Sequence, residues 1–118
     1  MTSAGTSIEQ RSIILVPFPF SDLTSAKKRP AFVVSNTEFN KASEDVVCCL
    51  ITSNPAAKGA VKITNKDMES GFLEFDSKVR PYRLFTVSKN IIYRILGKLN
   101  KEKAQIVASE ISKLVEMR

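Results

Sequence analysis

Along most of this chain the apolar positions fall in short runs, each cut off by proline, glycine or a polar cluster. The first run, residues 12–18 (SIILVPF), stops at Pro17-Phe18-Pro19-Phe20, since a proline cannot donate to a β ladder. A polar stretch over 21–29 ends on three consecutive cations. It leads into 30–35 (PAFVVS), a strand with proline at its first position, where no ladder donor is missed. Residues 45–53 (DVVCCLITS) are almost continuously apolar, the pattern of a strand buried on both faces, and Asn54-Pro55 ends it. Further strands are predicted at 60–64, near 71–75, at 79–87 and at 91–99. Short strands at turn-punctuated intervals predict a mainly β domain, a sandwich or small barrel, rather than a βαβ layout.

The period changes at the C-terminus. Ala104, Val107, Ala108, Ile111, Leu114 and Val115 recur at three and four residues, one stripe of an amphipathic helix expected to pack on the barrel. Asn100 is placed to cap it, and Glu102 falls in the first turn, where exposed N–H groups favour negative charge. Gly97, just upstream, suits a tight strand end. Ile106 falls off the stripe and is either exposed or part of a dimer contact. No repeat, low-complexity tract or Gly/Ser linker divides the sequence. The expected organisation is a flexible tail over 1–11 and a single domain over 12–118.

A chain of 118 residues, 43% apolar, has room for one core. A domain this small often gains stability by dimerising. No apolar run approaches the roughly 18–20 residues of a membrane span, and residues 1–10 lack the charged and apolar regions of a secretory signal, so a cytoplasmic location is expected. The two cysteines agree. Cys48 and Cys49 are neighbours on a strand, point to opposite faces, and so form neither an ordinary disulfide nor a joint metal site. They read as small buried hydrophobes.

With 18 Lys and Arg against 12 Asp and Glu, the formal charge is +6, which favours a polyanionic partner but equally serves solubility. There is no histidine, no glycine-rich phosphate loop, and no paired acidic spacing of a metal-dependent nuclease. No cofactor or catalytic metal is expected. One nuclease mechanism stays open: in RNA the 2′-hydroxyl can attack the adjacent phosphate, leaving the protein to align the strand and offset the charge of the phosphorane. Two elements carry suitable groups. Lys27-Lys28-Arg29-Pro30 joins a loop to a strand, and is either a solvated run or a phosphate site. Ile51-Thr52-Ser53-Asn54 brings two hydroxyls out of an apolar strand, to cap a turn or to meet phosphate oxygens.

Together these segments resemble the MazF/PemK family of toxins from type II toxin–antitoxin systems. The resemblance runs through Ile14-Leu15-Val16-Pro17-Phe18-Pro19-Phe20-Ser21-Asp22, Lys28-Arg29-Pro30-Ala31-Phe32-Val33-Val34-Ser35, Ile51-Thr52-Ser53 and Asp76-Ser77-Lys78-Val79-Arg80. It continues in Leu84-Phe85-Thr86-Val87 and Ile95-Leu96-Gly97-Lys98-Leu99. It implies a small SH3-like barrel of short antiparallel strands with a C-terminal helix, a homodimer, and ribosome-independent cleavage of single-stranded RNA at short motifs. It also implies a co-produced acidic antitoxin. Two other activities stay open: relatives of this fold that poison DNA gyrase by protein binding, and a non-catalytic RNA-binding barrel.

The resemblance implies that Arg29 and Thr52 are catalytic and that Ser53 is a phosphate-binding hydroxyl; Arg80 matches a second arginine of the family and is expected to meet substrate. Lys27, Lys28 and Arg83 are expected to add substrate contacts. Three departures stand out. Where some members carry an acidic residue two positions after the second arginine, this chain has Tyr82. The loop histidine of some members is absent. The usual Gly-Asp or Gly-Glu before the first strand is Arg11-Ser12. Tyr82 is thus read either as a base-stacking residue or as a half-buried barrel aromatic, and Phe18 and Phe20 face the same choice.

Overall fold

A computed structural model describes residues 7–17 and 27–118; Phe18, Phe20 and the polar stretch up to residue 26 lie outside those residues. Among the described residues seven strands form a single antiparallel sheet: β1 (Ser12–Pro17), β2 (Lys28–Val33), β3 (Asp45–Thr52), β4 (Val61–Ile63), β5 (Met68–Gly71), β6 (Ser77–Ser88) and β7 (Arg94–Leu99). Their order across the sheet is β4-β6-β3-β2-β1-β7-β5. The two edges, β4 and β5, are consecutive in the chain and joined only by residues 64–67, a 3-10 turn capped by Thr64. A flat sheet of this order would hold its edges about 29 Å apart at ~4.8 Å per strand, whereas so short a connection reaches at most roughly 18 Å. The sheet therefore curls into a half-barrel.

Curling gives the sheet two apolar faces. Inside the curve, Ile13, Phe32, Cys49, Ile51, Ile63, Val79 and Leu99 pack together, and α2 (Lys101–Leu114) closes the space with Ala104 and Val107. On the opposite face, Ile14, Val16, Ala31, Val33, Val46, Cys48 and Val87 form a second cluster with Ile8. A central strand must therefore be apolar at nearly every position, which is why β3 lacks the alternation of a one-sided strand. Asn100 caps α2 by accepting from the Lys103 amide at 2.8 Å, as its sequence position predicts.

Several elements differ from the sequence reading. The run expected to be a loose tail to residue 11 is packed from Ile8 onward: Ile8 is buried, and its carbonyl accepts from the side chain of the buried Asn40 at 2.8 Å. Asn40 belongs to a short helix, α1 (Thr37–Ala42), that no apolar period announces, since its one buried residue is polar. Pro30 is the third residue of β2, not the first; pairing with β3 begins at Ala31, just past it. The strand expected near 71–75 lies at Met68–Gly71, because Gly71 takes a φ of 72° and turns the chain out of the extended conformation. Gly97 lies within β7 rather than at its end, pressed against β5: a Cβ there would stand 2.4 Å from the Ser70 carbonyl oxygen. The helical stripe is buried only at Ala104 and Val107, with Ile111 half-buried; Ala108, Leu114 and Val115 are exposed, as is Ile106.

Arg11, just before β1, takes a φ of 78°, in the left-handed region that suits glycine. Here an arginine bears the left-handed backbone, and its guanidinium donates to the Leu99 carbonyl at 2.6 Å and to Glu69 at 3.0 Å. The Arg11 hydrogen bond holds the Glu69 carboxyl below its ordinary value. No helix among the described residues is long and apolar enough to cross a membrane.

Candidate functional site

The polar end of the sheet is built by β2, β3 and β6. In β2, Arg29 lies opposite Val16 of β1, and Ala31 lies opposite Leu50 of β3. On its other side β3 sets Leu50 against Arg80 and Thr52 against Lys78. Side chains two apart on a strand share a face, so Arg29, Thr52, Lys78 and Arg80 continue one face of the sheet, beyond the last residues of the second cluster. Lys28 and Ser53 start on the other face.

Where those faces meet, a cleft of about 550 Å³ opens. Lys27, Lys28, Arg29, Ser53 and Arg94 line it with donors, and Phe72 and Phe75 line it with rings. Four cations in one concavity focus a positive potential that a phosphate chain would meet. Lys28 is also held over the Tyr93 ring, 4.5 Å from its centroid, so its charge sits in a fixed place. Thr52 accepts from the Asn54 amide at 3.1 Å, which is the turn-capping role open to it from sequence. That bond uses an oxygen lone pair and leaves the hydroxyl proton for another acceptor.

Arg80 and Tyr82 form a cluster of their own on β6. Pairing jumps from Leu50–Arg80 to Cys49–Leu84, so Pro81, Tyr82 and Arg83 form a bulge. Arg80 Nε donates to the Tyr82 hydroxyl at 3.0 Å, and its guanidinium lies 5.4 Å from the ring centroid. The same hydroxyl donates to the Lys58 carbonyl at 2.9 Å, while Lys78 Nζ donates to the carbonyls of Pro55 and Ala57 at 2.9 and 3.2 Å. Tyr82 and Lys78 thus fasten the loop that follows Thr52 and Ser53. Tyr82 also orients Arg80, through a hydroxyl rather than through a carboxylate. Arg83 is exposed on the bulge.

Of the residues expected from sequence, Lys27, Lys28, Arg29 and Ser53 meet at the cleft, Thr52 and Arg80 share a face beside it, and Arg83 stands apart. The structure adds Arg94, Phe72 and Phe75. Arg94 sits at the first residue of β7, and nothing local marks it. The two phenylalanines bracket Leu73 and Glu74, in a stretch whose sequence reads as part of a short strand.

Residues 9–115 match a family described as the PemK-like, MazF-like toxin of type II toxin–antitoxin systems. The chain belongs to that family. Solved MazF-type toxins share its fold. A MazF crystallised with MazE from Deinococcus radiodurans superposes with a TM-score of 0.76 at 17% identity, over 96% of this chain and all (100%) of that one. An endoribonuclease in complex with its cognate antitoxin from a Mycobacterial species gives 0.74 at 14% identity, over 96% and 97% of the two chains. A MazF toxin of Mycobacterium tuberculosis gives 0.71 at 18% identity, over 92% and 99%. No curated protein matches the chain by sequence. At such identities the superpositions show a common fold.

Proposed function

We propose that this toxin is an endoribonuclease that cuts single-stranded RNA without a metal, with Arg29 and Thr52 as its catalytic residues. The observation that carries the reading is the common face of Arg29, Thr52 and Arg80 at the edge of a cleft lined with cations, in a chain of the PemK-like, MazF-like family. The RNA supplies the nucleophile. Its 2′-oxygen bonds to phosphorus while the bond to the 5′-oxygen breaks; the 2′ proton passes to solvent, and the departing oxygen takes one back. Arg29 offsets the charge that builds on the phosphorane, and the Thr52 hydroxyl donates to a non-bridging oxygen. Ser53, Lys27 and Lys28 hold the flanking backbone. Arg80, with Arg83 beyond it, steadies the strand on the other side of β3.

The test is cleavage of a long unstructured RNA in EDTA. Discrete fragments ending in a 2′,3′-cyclic phosphate and a 5′-hydroxyl are expected, and a 2′-deoxy substitution at the cut should abolish them. Arg29→Ala should lower the rate on the order of 10²–10³-fold, as loss of one transition-state contact does, with Thr52→Ala similar or milder. An Arg29→Ala protein that cuts within a few-fold of wild type overturns the assignment.

The same reading carries a homodimer, a cytoplasmic site of action and a cognate antitoxin. An acidic, largely disordered antitoxin segment laid along Lys27, Lys28 and Arg29 would mimic RNA and compete with it. Reversing the charge of Lys27 and Lys28 should weaken both ligands together.

A further inference from the structure

Between β5 and β6 the chain carries two large rings in the open. Phe72 is 72% exposed and Phe75 64% exposed. The backbone beneath them is fixed. Leu73, between the two rings, is buried in the inner core. Its amide donates to the Asn65 side-chain oxygen at 2.6 Å, and its carbonyl accepts from the Asn65 amide nitrogen at 3.0 Å. Beyond Phe75, the Ser77 hydroxyl donates to the Phe75 carbonyl at 2.8 Å. A mobile loop could fold such rings away from water; a backbone anchored at Leu73 and Ser77 presents them. They also line the cleft that holds Lys27, Lys28, Arg29 and Arg94. Rings beside a cationic track are the chemistry that grips single-stranded nucleic acid, because every base has a face to stack and every linkage a charge to meet.

We propose that Phe72 and Phe75 form a base-stacking subsite that seats unpaired RNA bases next to the cut, while the neighbouring cations hold its phosphates. Glu74, between Leu73 and Phe75 and on the same cleft, brings carboxyl oxygens to the seated bases, which favours bases that turn a donor towards it. The proposal rests on the endoribonuclease reading. It also gives to these rings the stacking role that the sequence left open for Tyr82, whose ring lies 5.4 Å from the Arg80 guanidinium.

The experiment measures equilibrium binding of a single-stranded RNA made uncleavable by one 2′-deoxy substitution, together with kcat and KM on the cleavable strand and a map of cut sites. Phe72→Ala with Phe75→Ala should weaken binding roughly ten- to a hundredfold and raise KM in step, with kcat at saturation within a few-fold of wild type. Phe72→Tyr with Phe75→Tyr should restore both. Glu74→Gln should shift the bases found beside the cut. Wild-type cleavage with binding and cut-site pattern unchanged in the alanine protein overturns the subsite alone. So does an alanine protein whose only change is a lost dimer or a lost antitoxin complex, or a tyrosine protein that stays as weak as the alanine one. Wild-type protein that neither binds nor cuts RNA overturns the endoribonuclease reading and the subsite with it.

Discussion

Cys48 and Cys49 are consecutive yet belong to different cores, Cys49 to the inner face of the sheet and Cys48 to the outer. Burial pushes both thiols up to about 12 from an ordinary 9.0. A group whose pKa rises on folding keeps its proton in the native state while the unfolded chain loses it. Its contribution to stability is therefore whole below pH 9.0 and lost as the pH climbs towards about 12. Each thiol should remove on the order of 1 kcal/mol per pH unit across that window. Urea denaturation from pH 7 to 11 should show this decline, and Cys48→Ala with Cys49→Ala should flatten it while lowering stability at pH 7; an unchanged slope would refute the account. The opposed placing of these thiols was legible in the sequence because it depends on strand period alone, and the capping of α2 by Asn100 was legible because it depends on the residue type just before a helical period. Arg11 was not. Its departure from the family's glycine is visible in the chain, but the left-handed backbone and the bonds to Leu99 and Glu69 arise from partners distant in sequence.

Among the elements, β3 and α2 could be read directly, since an unbroken apolar run and a three-four period are strong local signals. α1 could not, because its buried residue is Asn40, held by hydrogen bonds to Ile8 and Ser35 that no hydrophobic pattern encodes. The place of Gly97 and the bounds of β5 were misread for a related reason: which strand a glycine lies against is a property of pairing. At Gly71 a Cβ would stand 2.1 Å from the Leu96 carbonyl oxygen, on a backbone at φ 72° that suits glycine. Gly71→Ala should thus combine a clash with a strained conformation and cost about 2–4 kcal/mol. The loss should be local before it is global. Amide exchange should quicken along Met68–Gly71 and at Leu73 while Val46–Ile51 of β3 stays protected; uniform acceleration, or none, would show that β5 is not held by this approach. The candidate site followed the same division. Lys27, Lys28, Arg29, Thr52 and Ser53 stood out as residue types at strand ends. That Arg29, Thr52 and Arg80 share a face, and that Phe72, Phe75 and Arg94 come to the cleft, required the register and the curl.

Over the whole molecule the formal charge of +6 is distributed in a way that bears on how RNA runs across it. Lys27, Lys28, Arg29 and Arg94 line the cleft, while Arg80 and Arg83 lie on β6, two strand spacings from β2, or roughly 10 Å. A strand confined to the cleft would meet four cations, and one that crosses β3 would meet six. Each phosphate neutralised on single-stranded RNA steepens the log–log dependence of affinity on salt by about 0.7. The confined path thus gives a slope near −3 and the crossing path one near −4, as order-of-magnitude figures. The shared face of Thr52 and Arg80 favours the crossing path, because a phosphate at Thr52 leaves its neighbour close to the guanidinium that Tyr82 orients. Replacing Arg80 and Arg83 with alanine should then flatten the slope by about 1.4, whereas replacing exposed Lys113 at the far end of α2 should leave it unchanged. A slope insensitive to Arg80 and Arg83 would confine the RNA to the cleft, and a wild-type slope near zero would mean that the surplus charge serves solubility rather than a nucleic acid.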